Sequence, residues 1–256
     1  MKKAIFLITI FIGLISSVAF SFEGYERYPM LGNTIYPLTD VDVKLSEVSI
    51  QTNKDSSEIV STFVLENLTN EQQAFKVAFP IVSNCIGDCT AMPPDLVVTI
   101  DGRQIGTTLS ALGKTLFVRM RAIVSEDAAK HYKFEKEKAI IWEVALKPKE
   151  RKAVTCRYSL DWYFEPPQEV LMVDLTPAIL WKGNIDKVHF RLYLPKRVKA
   201  AVASRTARVK IQPPTRIQGN RDFIEWNFKN LDLRKRDKSN VRILGVYVWY
   251  SSREHE

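Results

Sequence analysis

Ile59-Val60-Ser61-Thr62-Phe63-Val64-Leu65-Glu66 decides the class of this chain. Ile59, Ser61, Phe63 and Leu65 fall on one face, while Val60, Thr62, Val64 and Glu66 fall on the other. That is the period of two that a pleated strand needs and a helix cannot use. Asn67-Leu68-Thr69-Asn70 then supplies a polar turn, and Phe75, Val77 and Phe79 resume the alternation, which predicts a β-hairpin. Upstream, Val41, Val43 and Leu45 hand over to Val48 and Ile50. The apolar parity therefore switches near Ser46, as it does at a β-bulge.

The pattern continues outward. Pro80 stops the hairpin and leads into a loop holding Cys85 and Cys89 and ending at Met92-Pro93-Pro94. Asp95 to Ile100 reads as a strand. Asp101-Gly102 reads as a two-residue turn, because both positions accept positive φ, and Arg103 to Ile105 begin the return. Leu116, Val118 and Met120 alternate with Phe117, Arg119 and Arg121 and predict one more strand. A helix is predicted from Ser125, a capping residue, to about Lys138. Glu126 and Asp127 suit its positive end, and Glu126/Lys130 and Lys133/Glu137 are spaced to pair.

Ile140, Trp142, Val144 and Leu146 alternate again, Lys147-Pro148-Lys149-Glu150 turns, and Val154, Cys156, Tyr158, Leu160 and Trp162 return, predicting a second hairpin. Further strands are expected over 170–175, 187–194, 209–211, 223–228 and 241–250, the last apolar enough to be covered on both faces. Many short strands, one helix and no βα alternation predict an all-β, antiparallel β-sandwich architecture with two sandwich-like regions joined by one charged surface helix. The expected boundaries are a leader at 1–21, an extended segment at 22–39, a first β region at 40–124, a helical connector at 125–139, a second, basic β region at 140–252 and a tail at 253–256.

Lys2 and Lys3 precede an apolar run of 17 residues, Ala4 to Phe20, and Ala19-Phe20-Ser21 places small residues at −3 and −1. This is the pattern of a cleaved signal peptide, and it predicts a periplasmic or secreted protein. An uncleaved anchor is the competing reading, although the run is short of the ~20 residues that cross a bilayer. The first cysteine is Cys85, so no lipobox is present. No later apolar stretch approaches spanning length.

The formal net charge of +8 is unevenly spread. Residues 22–146 carry 12 Lys+Arg against 17 Asp+Glu, and residues 147–256 carry 23 against 12. The basic residues of the second half cluster as Lys196, Arg197 and Lys199, then Arg205, Arg208 and Lys210, then Arg234, Lys235, Arg236 and Lys238. If they converge, they form a face for an anion or an acidic partner; if they scatter, they serve solubility. Aromatic residues offer a second candidate. Trp162 and Tyr163 at a strand end, and Tyr247 with Trp249 on one strand face, form either a binding platform or part of the core.

In an oxidising compartment Cys85 and Cys89 are expected to pair as a disulfide across a short loop, leaving Cys156 buried and reduced. Closing so short a loop adds little stability. The C-x-x-x-C spacing is not that of a thioredoxin-like pair, and no further His or Cys lies nearby to complete a metal site. No catalytic residue is assigned. His131 sits in the charged helix, His189 opposite an apolar strand face and His255 in the tail. Asp222 and Glu225, three apart on a strand, project to opposite faces, and no G-x-S-x-G elbow is present. No cofactor is implied.

Several of these elements occur in an order that resembles a family of secreted bacterial proteins known only as a domain of unknown function. They are Leu65-Glu66-Asn67 with its turn, Val77-Ala78-Phe79-Pro80, Val98-Thr99-Ile100-Asp101-Gly102, Trp142 with Leu146 and Pro148, Tyr158, Trp181 with Gly183 and Ile185, Leu194-Pro195, and Glu225-Trp226-Asn227-Phe228. The resemblance implies export, a β-rich fold and an envelope setting, and it carries over no functional residue. The Cys85–Cys89 loop and the charged helix lie outside it. The expected function is a non-catalytic interaction or binding module of the bacterial envelope, its partner an envelope protein or an anionic glycan or lipid. Nucleic acid and a membrane span after cleavage are not expected. The alternatives are a hydrolase acting on an envelope polymer and a carbohydrate-binding module.

Overall fold

A computed structural model describes residues 32–53, 58–81, 95–113, 119, 137–159, 163–165, 168–205, 207–213, 223–234 and 243–250. Its strands, numbered in chain order, form three sheets and an all-β, sandwich-like fold. The largest sheet has seven strands, β3 (Val43–Thr52), β4 (Glu58–Asn67), β6 (Val97–Ile100), β7 (Arg103–Gln104), β10 (Arg151–Ser159), β13 (Ile185–Tyr193) and β15 (Phe223–Leu231), in the order β15-β13-β3-β4-β10-β6-β7. A four-stranded sheet runs β2 (Tyr36–Pro37), β5 (Gln73–Ile81), β9 (Glu137–Leu146), β8 (Thr108–Gly113). The third sheet, of five strands, runs β1 (Gly32–Asn33), β12 (Gln168–Asp174), β16 (Ile243–Tyr250), β14 (Ala207–Gln212), with β11 (Tyr163–Glu165) paired to β12. Only the β1–β12 and β13–β3 pairings are parallel among the described strands.

The alternation in sequence becomes burial. Ile59, Ser61, Phe63, Leu65 and Asn67 are buried along β4, and Val154, Cys156 and Tyr158 along β10. The parity switch is a bulge, the register shifting between Leu45 and Glu47 while the Ser46 hydroxyl donates to the Val64 carbonyl at 3.2 Å. Asp101 (φ 48°) and Gly102 (φ 80°) make the tight turn between β6 and β7, as their acceptance of positive φ predicts.

Both larger hairpins, however, prove to be arches. β4 pairs with β3 and β10, and β5 pairs with β2 and β9, so the chain through Asn67 leaves one sheet and enters another. The same holds for β9 and β10. The two arches stack, with the Asn67 amide donating to the Glu150 carbonyl (2.9 Å) and the Lys149 amide donating to the Thr69 carbonyl (3.2 Å). Asn67 explains why the chain crosses. Its side chain stands at an inward position, where Nδ2 donates to the carbonyls of Glu71 (2.7 Å) and Lys147 (2.8 Å) and Oδ1 accepts from the Thr69 amide (2.9 Å). Backbone groups released where a strand ends inside the protein need such partners.

Across the interior Phe79 meets Tyr158 edge-on with centroids 5.2 Å apart, and Phe75 meets Trp181 at 6.0 Å. The Trp181 indole donates to the Ile35 carbonyl at 2.7 Å, fixing the first described residues in the core beside fully buried Tyr36. Buried side chains of all three sheets join in one core, and the seven- and four-stranded sheets each draw strands from both sides of the 125–139 segment. Glu137 and Lys138, expected to end the connector helix, begin β9. Residues 125–136 lie outside the described residues. Arg119 has helical backbone and so is not part of the strand expected across 116–121, whose other residues lie outside the described ones.

Two short helical elements were not anticipated: a 3-10 helix at Thr176–Leu180 and an α-helix, α1, at Lys196–Ala203. α1 buries only Val198 and Ala201. Two positions are too few to register as helical periodicity against strands on either side.

Candidate functional site

β16 owes its apolar character to its place between β12 and β14. Leu244, Val246 and Val248 point into the core, and Tyr247 and Trp249 lie half-buried on the opposite face. Their rings run parallel within 12°, with centroids 6.0 Å apart. In the β14–β16 register Lys210 stands opposite Tyr247 and Arg208 opposite Trp249, and such cross-strand partners project to the same face. The Lys210 ammonium sits 5.7 Å from the centre of the Tyr247 ring, a cation–π distance. Register also places Tyr163 in the Tyr247 row, across Val170. Two features read separately in the sequence, a basic strand and an aromatic strand, are thus one surface. Trp162 lies outside the described residues.

α1 packs against β14 and sets Lys196 and Arg197, both exposed, and Lys199, half-buried, beside the same sheet edge. Arg205 ends that helix in the left-handed region (φ 60°). The third basic cluster does not join them. Tyr193 pairs with Phe223 and Ile185 with Leu231, so α1 follows one end of the β13–β15 pair and Arg234 follows the other, roughly 27 Å away at strand rise. Arg234 has a structural task there, donating to the carbonyls of Gly183 (2.8 Å), Ile179 (3.1 Å) and Trp181. Lys235 and Arg236 lie outside the described residues, as do Cys85 and Cys89.

A polar cluster that sequence reasoning treated as isolated residues occupies the outer face of the seven-stranded sheet. Glu225 accepts from Arg191 at 2.7 and 3.1 Å and lies 2.9 Å from His189 Nε2, and the Arg191 guanidinium stacks 4.7 Å over Phe223. Hydrogen bonds from Arg191, then from His189, hold the Glu225 carboxyl below the usual range. Such a group accepts hydrogen bonds and does not act as a proton donor near neutral pH. Next to this cluster runs a row of hydrogen-bonding side chains in register across all seven strands, Asn227, His189, Ser49, Thr62, Thr155, Thr99 and Gln104. The alternation of each strand put these residues on the outer face, but only the strand order could align them. Cys156 is free and buried, and its burial pushes the thiol up, away from the reactive thiolate. Among the described residues no three His, Cys, Asp or Glu side chains gather as a metal site would require.

No family model matches the chain, and no curated protein matches it. Solved structures do. A crystal structure from Legionella pneumophila, provisionally described as a nutrient binding protein, is similar over 87% of this chain and 71% of its own, with a TM-score of 0.58 and 14% identity. At that identity the likeness is one of fold. An M1 zinc metallopeptidase from Deinococcus radiodurans matches 82% of this chain and 42% of its own at a TM-score of 0.34 and 9% identity. So distant a likeness carries no argument.

Proposed function

We propose that this chain is an exported, non-catalytic protein of the bacterial cell envelope that works as a binding module. The observation that carries the reading is the Tyr247–Trp249 ring pair lined along its β14 side by Lys210 and Arg208 on the five-stranded sheet. Rigid strands hold all four positions, so the face needs little ordering when a partner arrives. Aromatic rings supply apolar contact with fixed geometry, and the two cations supply charge complementarity and a faster encounter. The signal-like leader supports an extracytoplasmic setting, in which the Cys85–Cys89 disulfide is part of the proposal, and the uneven charge supports an anionic partner. The fold shared with a Legionella protein described provisionally as nutrient-binding is in keeping with a binding role. Glu225, held ionised by Arg191, is not suited to be the proton-donating acid of a hydrolase.

The test is to express the tagged full-length chain in a bacterial host, identify its N-terminus and compartment, and cross-link it to envelope material at physiological and raised salt. Cleavage near residue 21 with salt-sensitive capture of envelope material is expected. Recovery in the cytosol with Met1 retained, or no capture at either salt, overturns the reading.

A further inference from the structure

We infer that the outer face of the five-stranded sheet binds an acidic polysaccharide, with sugar rings against Tyr247 and Trp249 and carboxylate or phosphate groups against Lys210 and Arg208. The inference rests on the binding-module reading and gives it a site and a ligand class.

Register supplies the first argument. Trp249 faces Arg208 across the strand pair and Tyr247 faces Lys210, so the surface repeats one ring-plus-cation unit after two residues, about 6.8 Å along the strands. A tandem unit suits a polymer whose successive residues each combine an apolar ring face with a negative group. A single small anion would use only one of the two. The rings run parallel within 12°, so both units of the repeat hold their ring in one orientation.

Charge supplies the second. Between Asp186 and Asp222 the sequence has ten Lys and Arg and no acidic residue. Six of those cations fall within 196–210, on α1, at its C-terminal end and on β14. Arg208 is exposed and has no carboxylate partner among the described residues. Arg208 and Lys210 therefore set positive charge directly beside the ring pair, and the cations of α1 add to it at the same sheet edge.

The placement of the rings argues against a bilayer as the partner. Membrane-surface proteins sink an apolar helix face several ångströms into the lipid. Tyr247 and Trp249 are instead half-buried on a sheet face. An acidic protein surface would satisfy the cations but would make no use of the matched pair of parallel rings.

Affinity electrophoresis of the exported chain through gels containing polygalacturonate or alginate, with dextran as the neutral control, tests the inference. At least one acidic polymer should retard the protein, dextran should not, and added salt should weaken the effect. R208Q/K210Q should lower the apparent affinity about tenfold and flatten its salt dependence. Trp249→Ala should lower it to a similar degree. Arg157→Gln, which removes a cation paired with Glu58 on the seven-stranded sheet, should bind as the unaltered chain does. Arg208 and Lys210 are exposed, so the double variant stays folded, as an unchanged melting temperature would verify.

Undiminished retardation of the double variant overturns the site. Salt-sensitive capture of envelope material without retardation by any acidic polymer overturns the ligand class and leaves the module reading standing. So does binding confined to anionic vesicles. Equal retardation by dextran removes the part assigned to charge.

Discussion

The seven-stranded and five-stranded sheets both carry cations on their outer faces, but they use charge in opposite ways. On the larger sheet Lys44 pairs with Asp186 at 2.7 Å, Arg151 and Lys187 share Glu47 at 3.0 and 3.4 Å, Arg157 meets Glu58 at 3.6 Å, and Arg191 holds Glu225. Pairs this exposed add little stability. Their consequence is that the larger sheet's field cancels close to its surface. On the smaller sheet Lys210 and Arg208 stand beside aromatic rings, with the cations of α1 at the same edge. Net charge alone would not distinguish these faces; the identity of each cation's neighbour does.

The comparison can be broken most forcefully from inside. Asn67→Ala removes the donor that serves the Glu71 and Lys147 carbonyls and the acceptor for the Thr69 amide at the stacked arches. Leaving those groups without partners should cost about 2–4 kcal/mol, read from urea unfolding. Polymer binding by the remaining folded protein should be unchanged, because the arches are not part of the five-stranded sheet. Cys156→Ala opens a small cavity in β10 and should cost about 1 kcal/mol. In the unaltered protein Cys156 should resist alkylation until unfolding. Peptide mapping that found it bridged to another cysteine would overturn its assignment as a free core thiol.

What the sequence made legible follows the same division between local and distant. Alternation in Ile59–Leu65 and Ile140–Leu146 is a local property, so the strands could be read directly. Their partners are set by contacts far along the chain. A hairpin and an arch both need a polar connection of a few residues, and the connections at 67–70 and 147–150 met that need. The available clue was parity, since Asn67 continues the inward series of Ile59 through Leu65, where an exposed hairpin end would not place an amide. The binding face was legible only in parts. Arg208 and Lys210 lie more than 35 residues before Tyr247 and Trp249, and nothing local shows that β14 would settle beside β16. Arg234 looked like its basic neighbours because a sequence does not display the carbonyls that receive a guanidinium.

Glu225→Gln sharpens the comparison from the neutralised side. The carboxylate's hydrogen bonds to Arg191 and His189 lower its folded-state pKa below the unfolded value of about 4.3. Its contribution to stability is therefore complete above that value and is lost as pH falls through the lower, folded one. The variant should be less stable by about 0.5–1 kcal/mol near neutral pH, in the range of exposed pairs, and the gap should close in acid. A gap that persisted at low pH would mean that packing around Phe223, not the ion pair, accounts for the difference.

The smallest effect on stability is expected on the cationic face. R208Q/K210Q gives up the Lys210–Tyr247 contact, about 0.5 kcal/mol at an exposed site, and relieves repulsion among the cations of α1 and β14. The two changes oppose each other and should leave stability within about 0.5 kcal/mol. Salt separates them. Raising ionic strength from about 0.01 to 0.15 M shortens the screening length from ~30 to ~8 Å, which weakens repulsion between exposed charges spread along an edge more than it weakens a ring contact. The unaltered chain should therefore gain melting temperature with salt over this range, and the double variant should gain less. A melting temperature that fell with salt, by a similar amount in both proteins, would mean that attractive pairs dominate this edge as they do the seven-stranded sheet. The two faces would then be electrostatically alike, and the reason for siting an anionic ligand on the smaller one would be gone.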